Sequence, residues 1–321
     1  MNECNVESTQ YCGMGTVISS KVYGAYANEA LAAAKQEAIR LEGLLSRFIP
    51  HSDISRINSS AGISYERVAN ITYKVLATAV EFSKNCQGCF DVTIGPLMNL
   101  WSYYKQRHKT PSKIIIDKFL NLIDYADIEL DANNNAVFLK RKGQSLDLGA
   151  IGKGYAADLI LEVIKEYSIT SAFFNIGGNV ATIGAKPDGS RWNVGIRHPR
   201  KANGLLGVVS IVNKSVVTSG DYERYYIAGD GRRYHHIINP TTGYPADSGL
   251  ISVTIVADSS MVADVLSTAV FVAGLEKGLD IIKKYSGIEA IMIDNDLKIY
   301  ITKGLIKYFS VFEKTEVCIL D

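Results

Sequence analysis

Apolar and polar positions fall into two regimes along the chain. In the first, apolar residues recur every three or four positions. Within "ANEALAAAKQEAIRLEGLLSRF", Leu31, Ala34, Ala38, Leu41 and Leu45 share one face, the spacing of an amphipathic helix. A second such run spans Ile71 to Cys86, and "PSKIIIDKFLNLI" opens on a proline, tolerated where a helix begins. Ahead of these, "TVISSKVY" (16–23) alternates as a strand does. From about residue 127 short strand-like runs take over: "DIEL", "AVFLK", "QSLDL", "SAFFNI", "WNVGI", "LGVVSIV", "RYYIA", "YHHIIN" and "LISVTIVA". Helical patterns interrupt them only at 152–167 and 260–286. Strands joined by short turns favour antiparallel pairing, so the pattern predicts an α+β fold with flanking helices rather than a doubly wound sheet.

Composition narrows the function classes. A chain of 321 residues can bury a large core. A formal charge of +1 gives no general electrostatic reason to bind nucleic acid or an anionic membrane. No run approaches the roughly 20 apolar residues of a membrane span. The opening "MNECNVESTQYCGMGT" carries no hydrophobic signal segment, so residues 1–12 are expected as a polar tail before a single domain over 13–321. The expected location is the cytoplasm, although an exported chain trimmed of its leader would read the same. Five cysteines, an odd number, argue against a disulfide framework. Cys86 and Cys89 form a CxxC, but no second pair completes a zinc site, and two semi-buried thiols are the favoured reading.

Three stretches carry candidate chemistry. "SLDLGAIGKGYAADLI" (145–160) fits neither phosphate-loop template: Gly154 follows Lys153 where Ser or Thr belongs, and the glycines are in the wrong order for a dinucleotide fingerprint. Strand, glycine turn and helix remain, with free helix N–H groups suited to an anion, Lys153 adding charge and Asp147 at the strand end. A simple turn that needs glycine is the alternative. In "ADSSMVADVLSTAVFVAG", Asp258, Ser259 or Ser260 caps a helix on which Asp264 and Thr268 share a face among apolar neighbours. A buried carboxylate there calls either for a hard cation such as Mg²⁺ or for a basic partner. In "YHHIINPTTGYPADSG", alternation lets only one of His235 and His236 face a site, as a general base or as a histidine bonded to a loop carbonyl.

Together with "MGT", "SRF", "SDISRIN", "FDVTIGPLMNLW", "NIGGNV" and "TSGDYERYY", these segments occur in an order that resembles the FAD:protein FMN transferases, the ApbE family of flavin transferases. The resemblance covers roughly residues 13 to 300. It implies a compact, T-fold-like α+β domain with largely antiparallel sheets. It also implies Mg²⁺-dependent transfer of FMN from FAD to a threonine or serine of a target flavoprotein, with release of AMP. A pyrophosphatase giving FMN and AMP, or an FAD-binding protein without turnover, are the alternatives. By the same resemblance Asp264, Thr268 and the backbone carbonyl of Ala150 would hold the metal. Met14, Phe48, Cys89, Phe90, Asp91, Asp147, Lys153 and Ile238 would contact FAD, while His236 would act as base with help from Lys153. Ser267, Asn175 and Asn179 stand where many members carry acidic residues, and Phe48 replaces a commoner tyrosine. The family's acceptor pattern, roughly Asp-x-x-Ser/Thr-Gly/Ser-Ala-Thr/Ser, is imitated by "DVLSTAV", but Val270 occupies the acceptor position, so a separate protein must supply the hydroxyl.

Overall fold

The computed structural model describes residues 5–312 and 315–321. The alternating run forms a strand, but another precedes it: β1 (Val6–Gly13) pairs with β2 (Thr16–Tyr23) in full register from Val6↔Tyr23 to Gly13↔Thr16. From Val6 onward, then, the expected polar tail is an edge strand, and residues 1–4 of it lie outside the described residues. No residue of β1 is fully buried. Its main-chain ladder leaves no apolar signature, and its side-chain ties to α1, Asn28 to Glu7 and Lys35 over the Tyr11 ring, are polar.

After this hairpin come α1 (Ala27–Leu45), α2 (Asp53–Ser59), β3 (Glu66–Arg67), α3 (Asn70–Asn85), α4 (Gly95–Lys105), α5 (Lys113–Leu120), β4 (Ile128–Asp131) and β5 (Ala136–Leu139). The second half holds α6 (Gly152–Glu166), β6 (Ser171–Ile176), β7 (Asn179–Ile183), β8 (Trp192–Arg197), β9 (Leu205–Ile211), β10 (Ser215–Gly220), β11 (Tyr225–Ile227), β12 (Arg233–His235) and β13 (Leu250–Ala257). It ends with α7 (Ser260–Ala273), α8 (Leu275–Ile282), β14 (Glu289–Asp294), β15 (Ile299–Thr302), β16 (Phe309–Val311) and β17 (Val317–Leu320).

Among the described residues a nine-stranded sheet runs β1-β2-β6-β7-β10-β13-β14-β15-β17, with smaller sheets β16-β9-β8, β3-β5-β4 and β11-β12. In the large sheet every pairing is antiparallel except β15 with β17. The fold is mixed α+β, as the pattern predicts. Strand β13 is buried along its whole length, because Val253 and Ile255 pack with Leu266 and Phe271 of α7 while Val256 packs with Val194 and Val209 of the β8–β9 layer. A strand covered on both faces reads as a continuous apolar run.

Two local expectations fail. "QSLDL" is not a strand: Ser145 makes an isolated bridge to Ile94, and the Asp147 amide donates to the Val92 carbonyl at 2.8 Å. The helical pattern over 260–286 breaks at Gly274, whose φ of 83° no continuing helix adopts. No helix among the described residues is long and apolar enough to cross a membrane.

Candidate functional site

Helix α7 is anchored before it reaches the site. Ser259 caps it by accepting the Val262 amide. Asp158 of α6 accepts the Ser259 hydroxyl at 2.6 Å and the amides of Ser260 and Met261 at 2.7 and 3.0 Å. This carboxylate at the helix N-terminus compensates the unpaired first-turn amides, and burial nevertheless raises its pKa. Sequence reading missed Asp158; its signal was an acid on the inner face of one helix and a serine cap on another.

One turn further, Asp264 is 3% exposed. Its Oδ2 accepts the Gly154 amide at 2.9 Å, and Lys153 Nζ stands 3.5 Å from Oδ1. The anion captured by the α6 N-terminus is therefore the chain's own Asp264. This pairing meets the cost of burying the carboxylate. Lys153 also donates to the Gly149 carbonyl at 2.9 Å. As the third residue of α6, Gly154 has no intrahelical partner for its amide and donates it to Asp264, while the first helical bond runs from Tyr155 to Ile151.

Thr268 sits on the same face as Asp264, with its hydroxyl 3.2 Å from that of Ser219 at the end of β10. Ser267 is buried, its hydroxyl bonded to the Asp264 carbonyl at 2.9 Å and 2.9 Å from Ser219. Asp264, Thr268 and the Ala150 carbonyl offer only oxygen, the donor chemistry of a hard cation. Among the described residues no group of three or more His, Cys, Asp or Glu could hold a metal. The donor set therefore fits an ion that keeps much of its coordination for water or a bound phosphate, and does not fit a transition metal wanting several side-chain nitrogens or sulfurs.

The two histidines separate as alternation requires. Strand β12 stops at His235, whose Nε2 donates to the Ala246 carbonyl at 2.9 Å while Nδ1 accepts the Ile237 amide at 3.2 Å. Both ring nitrogens are used, so His235 is a packing residue, edge-on to Phe271. Nδ1 of His236 lies 3.1 Å from the Arg224 carbonyl, which also accepts the His236 amide. A carbonyl only accepts, so Nδ1 carries the hydrogen and Nε2 keeps its lone pair. His236 is exposed on the cleft wall, yet the protein around it lowers its pKa to about 4; the Arg224 carbonyl opposes this, and the Arg224 and Lys153 cations add to it.

On the opposite wall, Asp147 accepts the Gly149 amide at 2.7 Å through Oδ1 and lies 2.9 Å from Arg47 Nε through Oδ2. Arg47 reaches Asn99 at 2.8 Å, and its guanidinium lies 4.7 Å from the centroid of the Phe48 ring. Phe48 itself is 80% exposed. Asp91 is held on both oxygens, by the amide and hydroxyl of Thr93 and by the Tyr125 amide. Burial pushes the Cys86 thiol up to about 12 and also raises Cys89. Both are free cysteines, Cys86 buried and Cys89 half-buried.

One cavity of about 1100 Å³ lies among these elements. It brings together Met14, Phe48, Cys89, Phe90, Asp91, Asp147, Ala150, Lys153, His236, Ile238, Asp264 and Thr268, every candidate the sequence supplied. Arg47, Ser219, Arg224 and Asn179 line it too. Sequence reading gave Arg47, Ser219 and Arg224 no role, because a lone arginine or serine carries no spacing that marks it, and Asn179 stood out there only as a departure from the family pattern.

Fold and cleft together define an α+β protein with a large cavity lined by apolar, polar and charged side chains. The model of the ApbE family matches residues 14–292, and the chain belongs to that family. The FAD:protein FMN transferase of Klebsiella pneumoniae (strain 342) is 35% identical over 304 residues, covering 94% of this chain and 93% of that protein. The FAD:protein FMN transferase of Treponema pallidum (strain Nichols) is 33% identical, covering 94% and 88%. Among solved structures, the ApbE protein of Thermotoga maritima MSB8 superposes with a TM-score of 0.87 at 29% identity, covering 95% of this chain and 99% of that one.

Proposed function

We propose that the chain transfers FMN from FAD to a threonine or serine hydroxyl of a target flavoprotein and releases AMP. The observation that carries this reading is the placement of His236, with a free Nε2, in the same cleft as the Lys153–Asp264 pair and the loop held by Asp147. The family membership and the names of the relatives support it.

The acceptor oxygen forms a bond to the phosphorus on the FMN side of the pyrophosphate, and the bond from that phosphorus to the oxygen of AMP breaks. The hydroxyl proton passes to Nε2 of His236, whose Nδ1–H stays on the Arg224 carbonyl and fixes the ring. Lys153, already directed by the Gly149 carbonyl, supplies positive charge beside the phosphates. Asp264, Thr268 and Ala150 would hold Mg²⁺, which when bound neutralises pyrophosphate charge. Phe48, bare at the cleft wall, offers a face for stacking the flavin ring. Asp147 acts by shaping the 147–153 loop.

Chromatography and mass spectrometry of FAD incubated with the protein and Mg²⁺, with and without an acceptor peptide, test the reading. FMN added to the peptide with AMP released is the expected result. FMN and AMP formed equally fast without peptide would replace transfer by hydrolysis, and unchanged FAD in both arms would overturn the enzymatic reading.

A further inference from the structure

Strand β8 is the outer member of the β16-β9-β8 sheet. The bonds of β9 show which way its main chain points. Ser210 donates its amide to the Tyr308 carbonyl at 2.8 Å, and the Leu206 carbonyl accepts from Phe312 at 2.9 Å. Residues 206, 208 and 210 therefore face β16, and Gly207, Val209 and Ile211 face β8, opposite Ile196, Val194 and Trp192. In an antiparallel ladder the alternate residues point outward, so Asn193 and Gly195 turn their amides and carbonyls to the open side.

That side faces the cleft. Val194, Gly195, Ile196 and Arg197 all line it. Side chains of a strand alternate between its faces, so consecutive residues border one cavity only where the main-chain edge is turned toward it. None of the residues assigned to FAD lies on β8. Asn179 lines the same cavity and is 3% exposed, and its Nδ2 has no hydrogen-bond partner among the described residues.

We infer that this edge is the docking site of the acceptor: a segment of the target protein, in extended conformation, that adds a strand to β8 and presents its hydroxyl side chain to His236. The inference rests on the transferase reading, which requires a polypeptide to enter the cleft. A polypeptide main chain matches the edge because it repeats N–H and C=O groups at the ladder spacing, which a nucleotide does not. The Asn179 amide adds a donor for a peptide carbonyl. An open strand edge is ordinarily guarded against unwanted pairing; here Gly195 and Arg197 are exposed where β8 borders the cleft, so a segment can reach the edge.

The test uses the intact protein, FAD, Mg²⁺ and the synthetic peptide Asp-Ala-Ser-Ser-Gly-Ala-Thr-Ala-Ala, with a series in which each amide in turn is N-methylated. Strand addition predicts a period-two pattern: methylation at every second residue lowers transfer about tenfold, the loss of one main-chain hydrogen bond, and the positions between tolerate it. Hydrogen exchange should show residues 193–197 newly protected by parent peptide plus FAD and not by FAD alone. Tolerance at every position, or protection by FAD alone, would overturn the edge while leaving transfer intact. No FMN on the unmethylated parent peptide would overturn the transferase reading and the docking edge with it.

Discussion

Gly154 donates its amide to Asp264 Oδ2 at 2.9 Å, and the same glycine has no room for a side chain. A Cβ there would stand 2.3 Å from the Ser260 carbonyl oxygen and 2.7 Å from Asp264 Cβ. Helices α6 and α7 touch at the point where the carboxylate is stored, so the middle of "GKG" serves charge and its last residue serves contact. Gly154→Ala should force the helices apart, lowering stability by about 1–3 kcal/mol and turnover with it, although no reacting atom is altered. Urea unfolding alongside the FAD assay checks this; wild-type stability with full turnover would show that the contact does not position Asp264.

A second prediction concerns pH. His236 is lowered from the usual 6.5 to about 4, chiefly by the protein around it, so the imidazole is neutral and able to accept a proton throughout the neutral range. The acid limb of kcat/KM due to this group should therefore lie well below pH 6.5. The unfolded chain binds a proton near 6.5 while the folded chain stays neutral to about 4, so this group removes stability as pH falls through that window. Nuclear magnetic resonance of ¹⁵N-labelled histidine reads the titration directly, and a midpoint for His236 at the ordinary value would refute the assignment. His236→Asn should reduce transfer by about 10²–10⁴ and leave FAD binding in place.

Arg47 joins three parts of the wall: Asp147, Asn99 and the Phe48 ring. Phe48 is 80% exposed, so the fold gains little from it. Phe48→Ala should leave the unfolding temperature unchanged yet weaken FAD binding about five- to tenfold, the worth of one aromatic stack. Arg47→Lys keeps the charge but loses the planar fork, and should also weaken FAD binding. Quenching of flavin fluorescence measures both. Equal FAD affinity in Phe48→Ala and the wild-type chain would remove the stacking role.

What was legible in the sequence followed from which forces leave a pattern. Burial does, so α1, α3, α6 and β13 were readable from their apolar spacing. Main-chain pairing does not, and β1, with four polar residues in a row (Glu7 to Gln10) and paired to β2 along its whole length, read as a tail. Gly274 stops α7 by its backbone angle alone, which no hydrophobic period reveals. The residues named for FAD, metal and base line one cavity, but a motif acid can be spent within the fold. Asp91 is spent on Thr93 and Tyr125, and Asp53 of "SDISRIN" on Arg56, Ala69 and Thr72. Both belong to quoted motifs, and their bonds to Tyr125, Ala69 and Thr72 reach segments that no local spacing connects.

The metal gives the last prediction. Asp264 brings one carboxylate, Thr268 a hydroxyl and Ala150 a carbonyl, and Lys153 already stands 3.5 Å from Asp264 Oδ1. A cation drawn to that oxygen competes with an ammonium, and few protein charges hold it. Mg²⁺ should therefore bind weakly to the chain alone and more tightly once pyrophosphate oxygens are present; by reciprocity, Mg²⁺ should tighten FAD binding by the same factor. Calorimetric titrations of Mg²⁺ with and without FAD, and of FAD with and without Mg²⁺, close that cycle. Chelation should abolish turnover reversibly. Asp264→Ala should abolish metal-dependent turnover and uncouple the two titrations, whereas Thr268→Val, which keeps the shape and removes only an uncharged donor, should weaken the coupling. Full activity of Asp264→Ala, or identical Mg²⁺ affinity with and without FAD, would move the metal away from α7.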